Sequence, residues 1–587
     1  MEKQRLQLLS DDQVRRFIAD GFIFIDSNLA PSFHAAMTQQ IAYALEYELP
    51  HPGDNILARV PALNEVCESP AVKGALSSLL GNQFIFLPHR FPHNSEPLGS
   101  ERKGDNLRQE EGQESKVGVV DGVSLQINAF ESGPEMAKGS ISASVWHQDS
   151  HAFCGRTRWH TVRAANVFYF PHETPLHMGP TRFLAGSHLY ATLHDLSPEQ
   201  AVMQVIPAGT VVIAHFDLAH AGSPNNSDVG RYMMKFVALR TEDPVAATWH
   251  HEDSQWKTPD DLFTHHHMPV VWNSLWSWLR GAHRSEGNFG PENRAVDVGG
   301  LIEGMKSRSQ QERLSNLYGL AALGSPGVDG LVETLLQTSD VDRKHIRLGK
   351  APSAGSGHHL DRFFSDGQFT PEDSAIALGV IGAPSIEALI GLFDHRDPWI
   401  RINAVYAVGE AGADVARPYL PYVTQLLFDK EASVIRVALD ALAVLGILDA
   451  PTAERLHQII ARHVPEWSGG NGQDLRLAML EQMRYLSVLA LLNWASDLEG
   501  RDSELLPVVE AALLLSLDDE NGYPPRLACL ALERCGSAES LHAVIQYLRS
   551  RSWDTQQNTR AIGAWTLAHQ SATLERLRVQ ADIEADA

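Results

Sequence analysis

Two architectures follow one another along this chain: a β-rich sandwich or barrel, then an all-helical array of repeats. Three observations predict them. Strand-forming runs separated by Gly and Pro turns fill the part before residue 300. Past residue 310 helical spacing replaces them, and similar segments recur. The length, 587 residues, exceeds what one hydrophobic core organises.

The elements follow in order. Ser10-Asp11-Asp12-Gln13 reads as a capping box that opens a short helix through Val14, Phe17 and Ile18. Gly21 ends it, and Phe22–Ile25 reads as a strand. Residues 95–116 are polar and charged, an exposed loop that is either a lid over a site or an insertion. Strands are expected at Val123–Phe130, Val162–Phe170, Thr210–Phe216 and Tyr232–Leu239. Turns at Gly133-Pro134, Gly179-Pro180, Pro207-Ala208-Gly209 and Ser223-Pro224-Asn225-Asn226 separate them. Residues 241–300 form a bridge, in which His265-His266-His267 reads as a surface loop. Trp272, Trp276 and Trp278 fit a short helix that packs on one of the domains.

From residue 310 onward no strand is expected. Asp397-Pro398-Trp399-Ile400-Arg401 leads to Ala404…Val408-Gly409, and Ser433…Arg436 leads to Ala441…Leu445-Gly446. Related segments start at Arg313, Arg526 and Arg560. The recurrence, about 35 residues, is that of a helical hairpin, and the small residues let neighbouring helices approach closely. These segments resemble HEAT repeats. Pro352–Gly357 and Ser468–Gly472 read as linkers within the array. The expected organisation is a catalytic domain over 1–285, a linker over 286–312 and a repeat domain over 313–587.

Composition excludes several function classes. The formal net charge of −24 disfavours binding to nucleic acid or to an anionic membrane surface. No apolar run long enough to span a bilayer occurs, and the N-terminus has no apolar signal core. Four cysteines without a CxxC pair argue against a disulfide framework or a Cys-rich zinc site, and for a reducing, cytoplasmic setting. The 27 histidines direct attention to metal chemistry.

His-x-Asp offers an imidazole and a carboxylate to one cation, and a second imidazole from another strand completes a facial triad of the kind that holds Fe(II). The pattern occurs at His147/Asp149, His215/Asp217, His251/Asp253, His359/Asp361 and His395/Asp397. The last opens a helix and is explained by capping. Only Trp146-His147-Gln148-Asp149 is followed by strands that bring further polar groups in order: His220 as third ligand, with His215 as its competitor, and Arg231 eleven residues after His220. A guanidinium bonds a carboxylate bidentately and suits a dicarboxylate cosubstrate.

The stretch from His147 to Arg231 resembles the phytanoyl-CoA dioxygenase family of Fe(II)- and 2-oxoglutarate-dependent oxygenases. The matching features are Trp146-His147-Gln148-Asp149, the run Gly179-Pro180-Thr181-Arg182-Phe183…Gly186-Ser187-His188, and Ala208-Gly209-Thr210…His220…Pro224-Asn225-Asn226-Ser227…Arg231. Leu9-Ser10…Gln13…Phe17…Gly21-Phe22 matches the family's opening. The resemblance implies a double-stranded β-helix, a form of jelly roll, over residues 1–285. It implies His147, Asp149 and His220 as iron ligands and Arg231 as anchor of the distal carboxylate of 2-oxoglutarate, with O2 as oxidant. Asn128 and Asn166 fall on strands that line the cosubstrate cavity in the family, and either is a candidate for the 1-carboxylate. The family often carries a hydroxyl residue two places after the distal histidine; Gly222 stands there, with Ser223 next as the substitute. Gly186-Ser187-His188 is implied to be a structural turn, and His151 and Trp159 are candidates for substrate contact. A retained carboxylate at Asp149 favours hydroxylation over halogenation.

Two function classes follow. The first is an oxygenase of a small-molecule substrate whose repeats stabilise it or mediate self-association. The second is a scaffold whose repeats recruit a protein partner.

Overall fold

The structure is a computed structural model. It describes residues 5–47, 56–98, 146–149, 157–193, 196–282, 284, 297–340, 345–347, 362–365, 367–464, 477–497, 502–519 and 521–550. The strand expected at 123–130, the linkers at 352–357 and 468–472, most of the polar loop and the segment starting at Arg560 lie outside these residues.

Helix Asp11–Asp20 starts with the predicted capping box: Ser10 Oγ accepts the Gln13 N–H, and the Gln13 side chain accepts the Ser10 N–H. Gly21 ends it at φ 85°, and a Cβ there would stand 2.4 Å from His188 Nδ1, so glycine is required twice over. The strands are β1 (Phe22–Asp26), β2 (Ile85–Ser95), β3 (Ala164–Tyr169), β4 (Arg182–Phe183), β5 (Thr210–His215), β6 (His220–Ala221) and β7 (Arg231–Leu239). Five form an antiparallel sheet in the order β1-β5-β3-β7-β2, and β4 pairs with β6 in a second sheet. Side chains alternate along the strands. Phe168, Val212 and Ala214 pack between the sheets with Phe22 and Phe183, whose rings stack at 5.1 Å. Val167, Tyr169, Val211 and Ile213 face the other way and join the core beneath helices Pro31–Tyr47 and Pro70–Leu80. Tyr169 reaches His34 there at 2.8 Å.

β2 has no clean alternation because it holds Pro88 and Pro92. It tolerates them as an edge strand whose register breaks between Phe86 and Arg90. The expectation of no strands past residue 310 is corrected. β8 (Ile346–Arg347), β9 (Phe363–Ser365) and β10 (Phe369–Thr370) form a small sheet. Phe369 also bridges to Thr157, and the Phe369 carbonyl accepts the Arg158 N–H at 3.0 Å. These strands are only two or three residues long, too short for an alternating pattern to show in the sequence.

The C-terminal half is rich in helices. Gln310–Leu323, Asp373–Ile381, Pro398–Ala411, Ala432–Leu445, Leu477–Ser496 and Tyr523–Cys535 pack each against the next. Asp397 caps its helix by accepting the Trp399 N–H, as predicted. A Cβ on Gly409 would meet Ala441 at 3.0 Å and the Trp159 ring at 3.3 Å. Small residues thus set the spacing both between helices and against the β-rich half. Among the described residues no single helix is long and apolar enough to cross a membrane.

The row of helices lies along the β-rich half. Trp159 stacks on Tyr406 with ring centroids 4.5 Å apart, Thr157 Oγ1 donates to Asp440 Oδ2 at 2.6 Å, and Arg284 pairs with buried Glu410. The Gln310 side chain bonds both backbone groups of Thr192, and Arg534 donates to the Gln83 carbonyl. The Trp run forms helix Pro269–Leu279, which contacts the first helix of the row.

His160 belongs to this interface, its Nδ1 2.9 Å from the Tyr318 hydroxyl. Burial pushes its imidazole down to about 3, more than Asp373 raises it. An unfolded histidine titrates near 6.5, so between those values the native state binds fewer protons than the unfolded one. The contribution of neutral His160 is complete above pH 6.5 and is lost as pH falls towards 3. Urea unfolding at pH 7 and pH 5 is expected to show that His160→Gln, which keeps a polar partner for Tyr318, flattens the decline by up to about 1.4 kcal/mol per pH unit. An unchanged slope contradicts this.

Candidate metal centre

β6 starts at His220, which faces His147 across an antiparallel bridge: each backbone N–H donates to the other's carbonyl, at 3.0 and 3.2 Å. Their rings lie 4.4 Å apart. Alternation past His147 turns Gln148 away, where it donates to the carbonyls of Ser187 and Tyr190, and returns Asp149 to the side of the histidines. Asp149 Oδ1 is 3.8 Å from His147 Nε2, and Asp149 Oδ2 is 3.8 Å from His220 Nε2. One ligand atom from each of the three lies within 4.8 Å of the others.

Electrostatics holds these groups in ligand form. His220 Nδ1 sits 3.0 Å from the Leu218 carbonyl, the arrangement that leaves Nε2 to carry a lone pair. Burial, with His147 adding to it against Asp149, pushes His220 down to about 3. Burial alone would raise the Asp149 carboxyl. The charge of Lys235, then His220 and His147, overcome this and hold it well below the usual range. Asp149 Oδ2 accepts from Lys235 Nζ at 2.6 Å and from Asn166 Nδ2 at 2.7 Å. Two imidazoles and one carboxylate are a donor set that fits Fe(II).

Lys235 is the group that sequence reasoning missed. Its signal was its place in β7, four residues after Arg231 and so on the same face of the strand. Asn166, a candidate for the cosubstrate, stands on the Asp149 carboxylate. Arg231 is desolvated, and burial pushes its guanidinium down to about 10. Its Nη1 donates to the Ser223 carbonyl at 3.3 Å, and no ion pair to it is found among the described residues. The Ser223 hydroxyl sits 3.7 Å from Met203 Sδ. Arg182 packs over the Trp146 ring and donates to the Gly222 carbonyl. Asn128 and His151 lie outside the described residues.

The competing residues are elsewhere. The His215 ring lies tilted beside His188, with Nε2 3.4 Å from the Thr161 carbonyl. His251 bonds Asp11. Ser187 Oγ accepts the Ala219 N–H at 2.8 Å, so the Gly-Ser-His turn braces the segment before His220. His265 and His267 are exposed.

Residues 102–233 match the family model described as phytanoyl-CoA dioxygenase (PhyH). No curated protein matches the chain. Similar solved structures include the non-heme monooxygenase ThoJ as a nickel complex, at 19% identity over 46% of this chain and 96% of that one, TM-score 0.26. Another is the alpha-ketoglutarate-dependent carbocyclase SnoK from nogalamycin biosynthesis, at 17% identity over 40% and 85%, TM-score 0.28. A third is EvdO2 from Micromonospora carbonacea var. aurantiaca with 2-oxoglutarate, at 16% identity over 40% and 92%, TM-score 0.27. Over residues 102–233 the chain is thus similar to the phytanoyl-CoA dioxygenase family, and His147, Asp149 and His220 lie together as a group that could hold a metal ion.

Proposed function

We propose that the protein hydroxylates, or otherwise oxidises, an unactivated C–H bond of a small molecule, with conversion of 2-oxoglutarate to succinate and CO2. In this reading His147, Asp149 and His220 hold the iron and Arg231 holds the distal carboxylate of 2-oxoglutarate. The observation that carries it is the convergence of these three ligand groups from distant segments on one point, in a domain that also holds a half-buried arginine without an ion-pair partner among the described residues. When bound, iron and 2-oxoglutarate supply the oxidising power. The chain's own groups position them. Lys235 and Asn166 both donate to Asp149 Oδ2 and hold the carboxylate in place. The Leu218 carbonyl sets the His220 tautomer. The low-dielectric surroundings of Arg231 strengthen its attraction for an anion, and a carboxylate there would restore the charge that burial disfavours.

We also propose the division into a catalytic domain over 1–285, a linker over 286–312 and a HEAT-like array over 313–587. The continuous interface between the halves supports a structural role for the array over recruitment of a protein partner. The test is succinate formation from 2-oxoglutarate with added Fe(II). The wild-type chain is expected to turn over and His147→Ala to lose at least about a hundredfold. Equal background rates in the two would sink the oxygenase reading and favour the scaffold.

A further inference from the structure

A buried cation stands on one of the proposed metal ligands. Lys235 is 6% exposed, and among the described residues its ion pair is with Asp149 alone, Nζ to Oδ2 at 2.6 Å. β7 lies between β3 and β2, so strands on both sides fix the backbone: Lys235 pairs with Phe168 and with Phe91. Its ammonium packs over the Phe168 ring, 5.6 Å from the centroid, and the same ring meets His220 edge-on at 5.3 Å. The charge of Lys235 therefore acts on the His220 imidazole as well as on the Asp149 carboxylate.

Stability does not call for this arrangement. A buried lysine is costly to desolvate, and a buried ion pair is often no better than two apolar side chains of the same size. A methionine would fill the space without that cost. Nor does a loaded site need the ammonium to neutralise Asp149, since a metal ion brings positive charge of its own. What Lys235 adds is a fixed positive charge beside the ligands. Imidazoles ligate as neutral rings, so the ammonium and the carboxylate cancel and the site meets an ion with no net charge. A trivalent ion is repelled by the ammonium more than a divalent one, in buried surroundings where such repulsion is weakly screened.

We propose that Lys235 sets the oxidation state of the metal: its ammonium, held beside Asp149, makes the site favour a divalent ion over a trivalent one and so keeps bound iron ferrous. Oxygenases with this donor set use Fe(II), and the proposal rests on the oxygenase reading. Lys235 is in this sense a positioning residue that acts through Asp149. A lysine that only oriented the carboxylate would change the affinity for both oxidation states alike, so their ratio isolates the charge.

Lys235→Met and Lys235→Gln remove the charge, and Lys235→Arg keeps it. A metal ion supplies the positive charge that Asp149 loses in the neutral variants, so these are purified with Mn(II), which is then exchanged for iron. The full-length proteins are taken through a mediated redox titration followed by the ferric EPR signal. In both neutral variants the ratio of ferric to ferrous affinity is expected to rise at least about tenfold, which lowers the potential by about 59 mV. Lys235→Arg is expected to keep the wild-type potential. An unmoved potential in the neutral variants, or an equal fall in Lys235→Arg, overturns the charge assignment and leaves the oxygenase reading to stand on succinate formation by the wild type. A wild-type chain that takes up no iron overturns the oxygenase reading, and the charge assignment with it.

Discussion

A fragment ending after residue 300 is expected not to fold. The β-rich half does not close its own core. Trp159 is 7% exposed with Tyr406 stacked on it, and one hydrophobic cluster runs from Leu9 to Tyr547. Removing the helices would also uncover His160, Leu87 and Phe216, and take away the partners of Thr157 and Arg284. Each large apolar side chain returned to water costs about 1.5–3 kcal/mol, against a net domain stability of about 5–15 kcal/mol. The measurement is solubility and cooperative urea unfolding of residues 1–300. A soluble fragment with a sharp transition would show that the two halves fold independently. In the full chain, Tyr406→Ala removes a side chain that is wholly buried and is expected to cost about 3–5 kcal/mol.

The second large effect concerns Asp149. Asp149→Ala is expected to abolish Fe(II) binding and also to destabilise the protein without metal by about 3–5 kcal/mol, because the buried Lys235 ammonium loses its carboxylate. Combining it with Lys235→Met should recover most of that stability and none of the iron binding. Urea unfolding of the apo proteins and Fe(II) titration separate the two quantities. Iron retained by Asp149→Ala would remove Asp149 from the ligand set. A double variant as unstable as the single one would show that the ion pair is not the cause.

Much of this arrangement was legible in the residues. The capping box at Ser10, the strands carrying Phe168 and Ile213, and the cap at Asp397 are local devices, and local devices leave local patterns. The preference for His220 over His215 was read from the position of Arg231; in the structure His215 faces Thr161 while His220 faces His147. What the pattern did not carry is pairing across distance. β2 is masked by its prolines, Phe369 is bridged to Thr157 across 212 residues, and the bond from Lys235 to Asp149 joins residues 86 apart. The interface between the halves is invisible for the same reason, since Trp159 reads as an ordinary aromatic until Tyr406 is brought to it.

That interface also has a consequence for biosynthesis. Thr157 and Asp440 are 283 residues apart. At elongation rates of about 5–20 residues per second, the first half waits roughly 15–60 s on the ribosome before its partner surface exists. During that interval Trp159 and its neighbours face solvent or a chaperone. Yield in a host should therefore respond to holdase supply and to codon choice downstream of residue 300.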